Sequence, residues 1–249
     1  MTRRPSRTFD RARTWARGVL AAAALVLAGA AARADDLASF YAAVDAASTH
    51  NRVAIYAMRM GDLELASDEI TAFRQAWQAV VARNRPAAFD DTKLYVTTMT
   101  DVSLRLVAAS FLLDAGRVDP ARNSLNGVRT ALAHLRRSSG VVVLADCVLD
   151  ANTAMEALAE SATQADPSAT DTGADVTAKA EAYARELRGC DAMAAADVQR
   201  NREFRRLIDG ALASLGQMPK AAETRDRDLL HRLLIELRSF DHLLAFRYG

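Results

Sequence analysis

Residues 225–248 read RDRDLLHRLLIELRSFDHLLAFRY, and this stretch shows the pattern that decides the fold. Its apolar side chains recur every three or four positions, which places them on one face of an α-helix. The stripe consists of Leu230, Leu233, Leu234, Leu237, Phe240 and Leu244. One acidic residue, Asp241, falls inside the stripe. The sequence therefore predicts an amphipathic helix here whose apolar face packs in a core.

The same periodicity continues through most of the chain after residue 36. Composition there is rich in Ala, Leu, Arg and Glu and poor in Gly and Pro, which favours helices. Gly61, Pro86, Gly116 and Gly140 separate the segments, and Asp119 is the predicted N-cap of the fourth helix. Seven further helices are predicted, at about residues 37–60, 63–82, 90–114, 119–137, 141–161, 176–187 and 192–215.

No alternating strand pattern competes with this periodicity, so the predicted fold class is all-α. Helices of roughly 20 residues joined by short connections favour antiparallel up-down packing. Eight of them predict two tandem antiparallel four-helix bundles, at residues 36–137 and 141–249. Residues 163–173 are small, polar and contain Pro167, which predicts a flexible linker inside the second bundle.

An imperfect internal repeat supports the division into two halves. Gly61 precedes Phe73-Arg74 and then Pro86, while Gly189 precedes Phe204-Arg205 and then Pro219. The spacings differ by a few residues, so duplication is a hypothesis. The alternative is a tetratricopeptide-like array of helical hairpins, but the period of about 34 residues is missing.

The N-terminal 34 residues have the layout of a signal peptide. Arginines crowd the first 17 positions, residues 18–31 are small and apolar, and Ala32-Arg33-Ala34 supplies an A-x-A cleavage pattern. We expect cleavage after Ala34 and export to the periplasm. The alternative is a retained N-terminal anchor.

Removal of that segment changes the charge. Residues 1–34 hold seven arginines and one aspartate, and the whole chain carries +1, so the mature chain carries −5. This balance lacks the basic footprint of a nucleic-acid binder, so no nucleic-acid partner is expected. No apolar stretch after Ala34 looks long enough to span a membrane, so no transmembrane segment is predicted in the mature chain.

The region from about Leu63 to Arg137 resembles the periplasmic soluble cytochrome b family. The likeness lies in the Phe73-Arg74 helix that ends at Pro86, and in a last helix that opens after Gly116. The resemblance implies a four-helix bundle carrying non-covalent haem b. It also implies haem ligation by a Met early in the first helix and a His late in the fourth.

This chain departs from that pattern of ligands. The positions nearest the family's Met are Ala47 and His50, and the candidate His134 lies about two residues early. On a helical wheel His134 points about 140° away from the stripe that contains Val128 and Leu132. The resemblance therefore supports the architecture more than the cofactor. Covalent c-type haem is excluded because the chain has no Cys-x-x-Cys-His.

Histidines and aspartates on the last helix are candidate metal ligands. Asp228 and His231 lie three residues apart, a spacing that di-metal bundles use with Glu, but only one copy is present. His231 and His242 share a face about 16 Å apart, so one ion cannot bridge them. The alternatives are a solvated helix start for Asp228 and two exposed histidines.

Three further aspartates are candidates. Asp146 and Asp150 lie four residues apart on one face, where they can share a hard cation or bind arginines of another helix. Asp241 in the apolar stripe needs a partner, because burying an unpaired carboxylate costs several kcal/mol. The neighbouring helix offers three candidate partners, Arg202, Arg205 and Arg206.

Soft-metal and thiol chemistry were also considered. His50 with Met58, Met60 and Met99 suggests copper, but methionines at helical spacing are more often core residues. The only cysteines, Cys147 and Cys190, can pair in an oxidising compartment, the alternative being two separate thiols. No catalytic motif is present, so an enzyme is not expected.

The sequence thus predicts an exported, soluble helical protein that binds rather than catalyses. The first hypothesis is a docking module for an envelope protein partner, with no cofactor favoured. The alternative is a bundle that holds a metal ion or haem b, using ligands from the set His50, Asp146, Asp150, Asp228, His231, Asp241 and His242.

Overall fold

The computed structural model describes residues 8–83, 86–164 and 172–249, with side chains described at 33–83, 86–163 and 173–249. These ranges are helical and contain no strand, so the all-α prediction is confirmed for them. A short 3-10 turn, Pro86–Ala88, precedes the third helix. The α-helices are α1 Thr8–Met60, α2 Leu63–Arg83, α3 Thr92–Asp114, α4 Val118–Ser138, α5 Leu144–Gln164, α6 Thr172–Met193, α7 Ala196–Gln199, α8 Arg202–Leu215, α9 Met218–Glu223 and α10 Arg227–Tyr248.

Local signals set most helix ends. Gly61 and Gly116 follow α1 and α3 with φ of 78° and 71°, a conformation that side chains with a Cβ rarely adopt. Asp91 caps α3, since its side chain accepts a hydrogen bond from Leu94 N. The prediction that Asp119 caps α4 is wrong. That helix begins at Val118, and Asp119 lies in its first turn.

The first half of the chain, from the C-terminal part of α1 to α4, encloses one apolar core. Phe73 and Trp77 of α2 are buried at its centre, and Trp77 Nε1 donates to Ser103 Oγ of α3 at 3.0 Å. Edge-to-face and stacked rings close one end, at Phe40, Tyr41, Phe89 and Tyr95.

The second half, from α5 to α10, encloses a separate core. Tyr183, Phe204 and Leu237 are fully buried in it. Gly210 of α8 packs against Phe240 of α10, and an added Cβ there would lie 2.6 Å from the Phe240 ring. Short side chains at such crossings let helix backbones approach closely, so Gly210 is fixed by packing.

Two predicted helices differ from the structure. The helix predicted to end at Gly189 continues to Met193, because glycine in a helix interior weakens it without ending it. The helix predicted over 192–215 is broken into α7 and α8. The break lies at Asn201, whose side chain accepts from the backbone N–H groups of Glu203 and Phe204 and so starts a new helix.

The predicted linker and signal peptide fall partly outside the described residues. At the linker, α5 extends to Gln164 and α6 begins at Thr172, while residues 165–171 lie outside the described part. At the N-terminus, residues 1–7 and the side chains up to residue 32 also lie outside it. The backbone of α1 is helical through the predicted cleavage position after Ala34.

By length and composition one described helix after Ala34, α3, could span a membrane, although its apolar residues do not form an unbroken stretch. An 18-residue window of this helix has a mean hydropathy of 1.4. The sequence argument considered unbroken apolar runs, whereas the apolar residues of α3 are divided between two faces. A third of the window is buried inside the protein, and core helices meet the same criterion.

Candidate binding site between the two halves

The two halves of the chain meet through α1 and α4 on one side and α5 and α10 on the other. An aromatic stack crosses this junction, with the rings of Tyr56 and Phe246 4.4 Å apart and 27° from parallel. Arg52 of α1 donates to the backbone oxygen of Gly249 at 2.9 Å. The rest of the junction is mostly polar, and this is where most of the predicted site residues lie.

Asp146 and Asp150 each bind an arginine of α4. Arg136 donates two hydrogen bonds to Asp146, from Nε to Oδ2 at 2.9 Å and from Nη2 to Oδ1 at 2.5 Å. Arg137 reaches Asp150, with Nη2 2.7 Å from Oδ2. The first pair is buried and the second is exposed. Both carboxylates thus hold the two halves together, which is the ion-pair alternative that the sequence left open.

Asp241 of α10 is buried, and its nearest partner is an amide. Asn152 Nδ2 of α5 donates to Asp241 Oδ1 at 2.6 Å. Burial raises the pKa of Asp241 to about 6, against the hydrogen bond from Asn152 and the positive charges of Arg59 and Arg129, which lower it.

The predicted arginine partners of Asp241 are wrong. Arg205 instead pairs with Asp191, its Nη2 2.5 Å from Oδ1. The two cations that lower the pKa of Asp241 come from the other half of the chain. They are Arg59 of α1 and Arg129 of α4. The positive charges near this carboxylate therefore come from two helices more than 100 residues away in sequence. The sequence argument considered only the adjacent helix and so did not find them.

Arg59 and Arg129 are half-buried cations without a described carboxylate in contact. Among the described residues neither forms an ion pair within 4.0 Å, and Arg129 Nη2 donates to the neutral Asn152 Oδ1 at 3.0 Å. Burial lowers the pKa of both guanidinium groups, that of Arg129 to about 10, while the charge of Asp241 opposes the shift. The desolvation of both cations is therefore only partly compensated by the protein.

A cavity of about 530 Å³ opens over these groups. Its deep side is formed by Arg59, Arg129, Asn152 and Asp241, and most of its other lining residues are polar. The remaining lining residues are Asn123, Asn126, Thr130, Leu149, Thr153, Met155, Glu156, Ala159, Glu160, Thr163, Arg238 and His242. The size is within the range of small-molecule sites, and every wall helix contributes a hydrogen-bonding side chain.

The candidate histidine ligands do not cluster at one site. His242 lies at the cavity and is half-buried, and burial together with Arg59, Arg122 and Arg238 lowers its pKa to about 4. His231 is exposed on the same helix. Of the two histidines predicted to be exposed, only His231 is exposed to solvent. His242 is partly covered because the first half of the chain packs against the C-terminal end of α10.

The other predicted ligands are scattered over the molecule. His50 Nδ1 lies 2.6 Å from Glu69 Oε2, linking α1 to α2. His134 is exposed, and Asp228 lies in the first turn of α10, which Asp226 caps. Across the described residues, no three His, Cys, Asp or Glu side chains are placed to hold one metal ion.

Cys147 and Cys190 form a disulfide between α5 and α6, with Cα atoms 5.4 Å apart. Cys147 lies on the turn of α5 that also carries Asp146. The bond therefore fixes the helix that supplies half of the cavity's lining residues. A thiol-based activity at either cysteine is not compatible with this pairing.

The sequence argument missed Arg59, Arg129 and Asn152. Each of the three directly follows a buried core residue. A polar side chain beside an apolar stripe was therefore the sequence signal that could have identified them. No protein-family model, no curated protein and no solved structure matches this chain. Function must therefore be inferred from the arrangement of its side chains.

Proposed function

We propose that this chain is a non-catalytic docking module of the periplasm that binds an envelope protein partner through the outer face of α3. The proposal includes cleavage of residues 1–34 and the arrangement of the mature chain as two tandem antiparallel four-helix bundles. The observation that carries it is an exposed row of apolar side chains on α3.

This α3 stripe consists of Val96, Thr100, Leu104, Val107 and Phe111. Its four apolar side chains are 53%, 64%, 54% and 71% exposed. At about 100° per residue the five positions fall within an arc of about 80°, and they extend about 22 Å along the helix. Isolated exposed apolar residues are ordinary, but a continuous row of this length is typical of an interaction surface.

Folding does not require the stripe. The opposite face of α3 is buried in the first core through Tyr95, Met99, Val102 and Leu106. The stripe therefore adds apolar surface to a helix whose packing is already complete. Such surface carries a cost in solubility, which selection tolerates where a partner covers it.

The shape and chemistry of the stripe favour an amphipathic helix as the partner segment. It is an apolar ridge, and on the same face of α3 one basic residue, Lys93, precedes it and one acidic residue, Asp114, follows it. A partner helix with apolar residues every three to four positions would match this ridge along about four turns. Charged partners, such as a nucleic acid or an anionic lipid surface, would find no complementary charge on it.

The alternative, a bundle that holds a metal ion or haem b, has no specific observation in its favour. The candidate ligands lie in separate parts of the molecule, and the two aspartates with the best spacing bind arginines. His134, which the family resemblance would make a haem ligand, is exposed.

Charge substitution on the stripe tests the docking proposal. The double variant Leu104→Lys/Phe111→Lys should abolish binding to the partner without loss of helix content, because both side chains are exposed. Ile235→Lys, which charges a 57% exposed apolar side chain on α10, is the matched control and should bind as wild type does. The measurement is quantitative co-purification from detergent-solubilised envelope, with circular dichroism of each variant.

Equal recovery of the same envelope protein by the double variant and the wild type would refute the proposal. Failure of every form to retain an envelope protein at stoichiometric yield would also refute it. A wild-type dimer that the double variant converts to monomer would assign the stripe to self-association instead.

A further inference from the structure

The cavity between the two halves holds two arginines that make no ion pair with a described carboxylate. Two guanidinium groups, Arg59 and Arg129, lie near one buried carboxylate, Asp241, and near the exposed carboxylate of Glu156. The Asp241 carboxylate accepts its direct hydrogen bond from Asn152 rather than from either arginine. Carboxylates therefore act on these two cations from a distance, and neither cation has one in direct contact among the described residues.

The surroundings of Arg129 support the same conclusion. Its Nη2 donates a hydrogen bond to Asn152 Oδ1, which is a neutral acceptor. Arginine offers five N–H donors in a planar fork that matches carboxylate and phosphate oxygens. Among the described residues Arg59 makes no side-chain hydrogen bond and Arg129 makes the one to Asn152, and both arginines line a space large enough for a small molecule.

The walls of the cavity provide neutral hydrogen-bonding groups for the rest of a ligand. Asn126 and Thr130 of α4 face Thr153 of α5 across it, and His242 of α10 contributes an imidazole. Depression of the pKa of His242 to about 4 keeps that ring neutral in a periplasm near pH 7. Two acidic side chains, Glu156 and Glu160, lie on the exposed outer wall and are accessible to solvent.

We propose that this cavity is a binding site for a small oxyanion, a carboxylate or phosphate group held between Arg59 and Arg129. The occupied site would join α1 and α4 of the first half to α5 and α10 of the second, so binding would tighten the junction. This site lies on different helices from the α3 stripe and stands independently of the proposed docking function.

Calorimetric titration of the mature wild-type protein with succinate, inorganic phosphate and putrescine tests the proposal. Succinate or phosphate should bind, and the comparison between them distinguishes a carboxylate from a phosphate ligand. Putrescine, a dication of similar length to succinate, should give no heat. Absence of heat with both anions, or binding of putrescine alone, would overturn the proposal.

Substitutions then locate the site. Arg129→Gln and Arg59→Gln should each weaken anion binding at least tenfold, since each removes one of the two cations. Arg74→Gln, an exposed arginine of α2 outside the cavity, is the matched control and should bind as wild type does. Asp241→Asn should tighten binding severalfold because it removes the buried carboxylate that competes with the anion for the two arginines. Equal affinity of Arg59→Gln and wild type would place the anion elsewhere and refute the site.

Hydrogen–deuterium exchange of the wild-type protein provides a test that does not depend on a variant folding. The anion that binds in calorimetry should slow exchange at residues 123–130, 152–160 and 238–242 and leave α2 unchanged. Uniform slowing across all helices, or slowing confined to α2 and α3, would contradict the assignment.

Discussion

Asp241 and His242 are adjacent on α10, and burial shifts their pKa values in opposite directions. The pKa of Asp241 rises to about 6, so its carboxyl ionises later in the folded protein than in the unfolded chain. Its contribution makes the free energy of unfolding fall as pH rises from about 4 to 6, by about 3 kcal/mol in total. The pKa of His242 falls to about 4, so its contribution makes the free energy of unfolding rise over about pH 4 to 6.5.

These two contributions oppose each other, which predicts a pH profile that single substitutions change in opposite ways. His242→Gln should remove the histidine contribution, so that only the Asp241 contribution remains. The free energy of unfolding should then fall between pH 4.5 and 6.5 more steeply than in the wild type. Asp241→Asn should make stability rise over the same range. Urea denaturation at four pH values measures both. His231→Gln, an exposed histidine of the same helix, is the control, and parallel profiles for all four proteins would contradict the assignment.

The two aspartates of α5 allow a matched comparison of buried and exposed ion pairs. The side chains of Asp146 and Arg136 are 6% and 13% exposed, whereas those of Asp150 and Arg137 are each nearly half exposed. Asp146→Ala should therefore lower the free energy of unfolding by about 3 kcal/mol, because it leaves Arg136 buried without its partner. Asp150→Ala should cost less than about 1 kcal/mol. Equal costs in chemical denaturation would contradict the structure of this junction.

At the scale of elements, periodicity alone was enough to predict where long helices lie. The apolar stripe of α10 matches its buried residues closely, because burial of one face fixes the phase of a helix. Helix ends were harder to predict. Asn201 starts α8 through a side-chain hydrogen bond, and such a contact inside a helix-forming stretch leaves little trace in the sequence.

The disulfide between α5 and α6 makes a quantitative prediction at this scale. It closes a loop with a sequence separation of 43 residues, so its loss should lower the free energy of unfolding by about 4 kcal/mol through the entropy of the unfolded chain. The double variant Cys147→Ser/Cys190→Ser, measured by urea denaturation, tests this value. Addition of a reductant should have no further effect on the variant, and a variant as stable as the wild type would show that the bond does not constrain the second core.

At the scale of the whole molecule, the contact between the two halves was beyond sequence reasoning. The spacing of Asp146 and Asp150 indicated partners on another helix, and α4 supplied them. The environment of Asp241 combines side chains from α1, α4 and α5, which the sequence separates by about 90 to 180 positions. Periodicity predicts which face of a helix is buried, but it does not say which helix covers that face.

Export is a further prediction about the whole chain. The mature N-terminus should be Asp35, and N-terminal sequencing of protein recovered from the periplasm measures it. Cleavage there also removes Arg33, which contacts the backbone oxygen of Ala88 and the carboxylate of Asp90. We expect the mature form to fold without these two contacts, since they are exposed or partly exposed. An exported protein that retains Met1 would contradict a cleaved signal peptide.

The docking role of α3 is the central claim, and site-specific photo-crosslinking in intact cells tests it most directly. A photoreactive amino acid is placed at Leu104, Val107 or Phe111 of the stripe, and at Ile235 of α10 as the control. The account predicts a single discrete adduct with an envelope protein from all three stripe positions and none from position 235. The same adduct from position 235, or none from any stripe position, would contradict the claim.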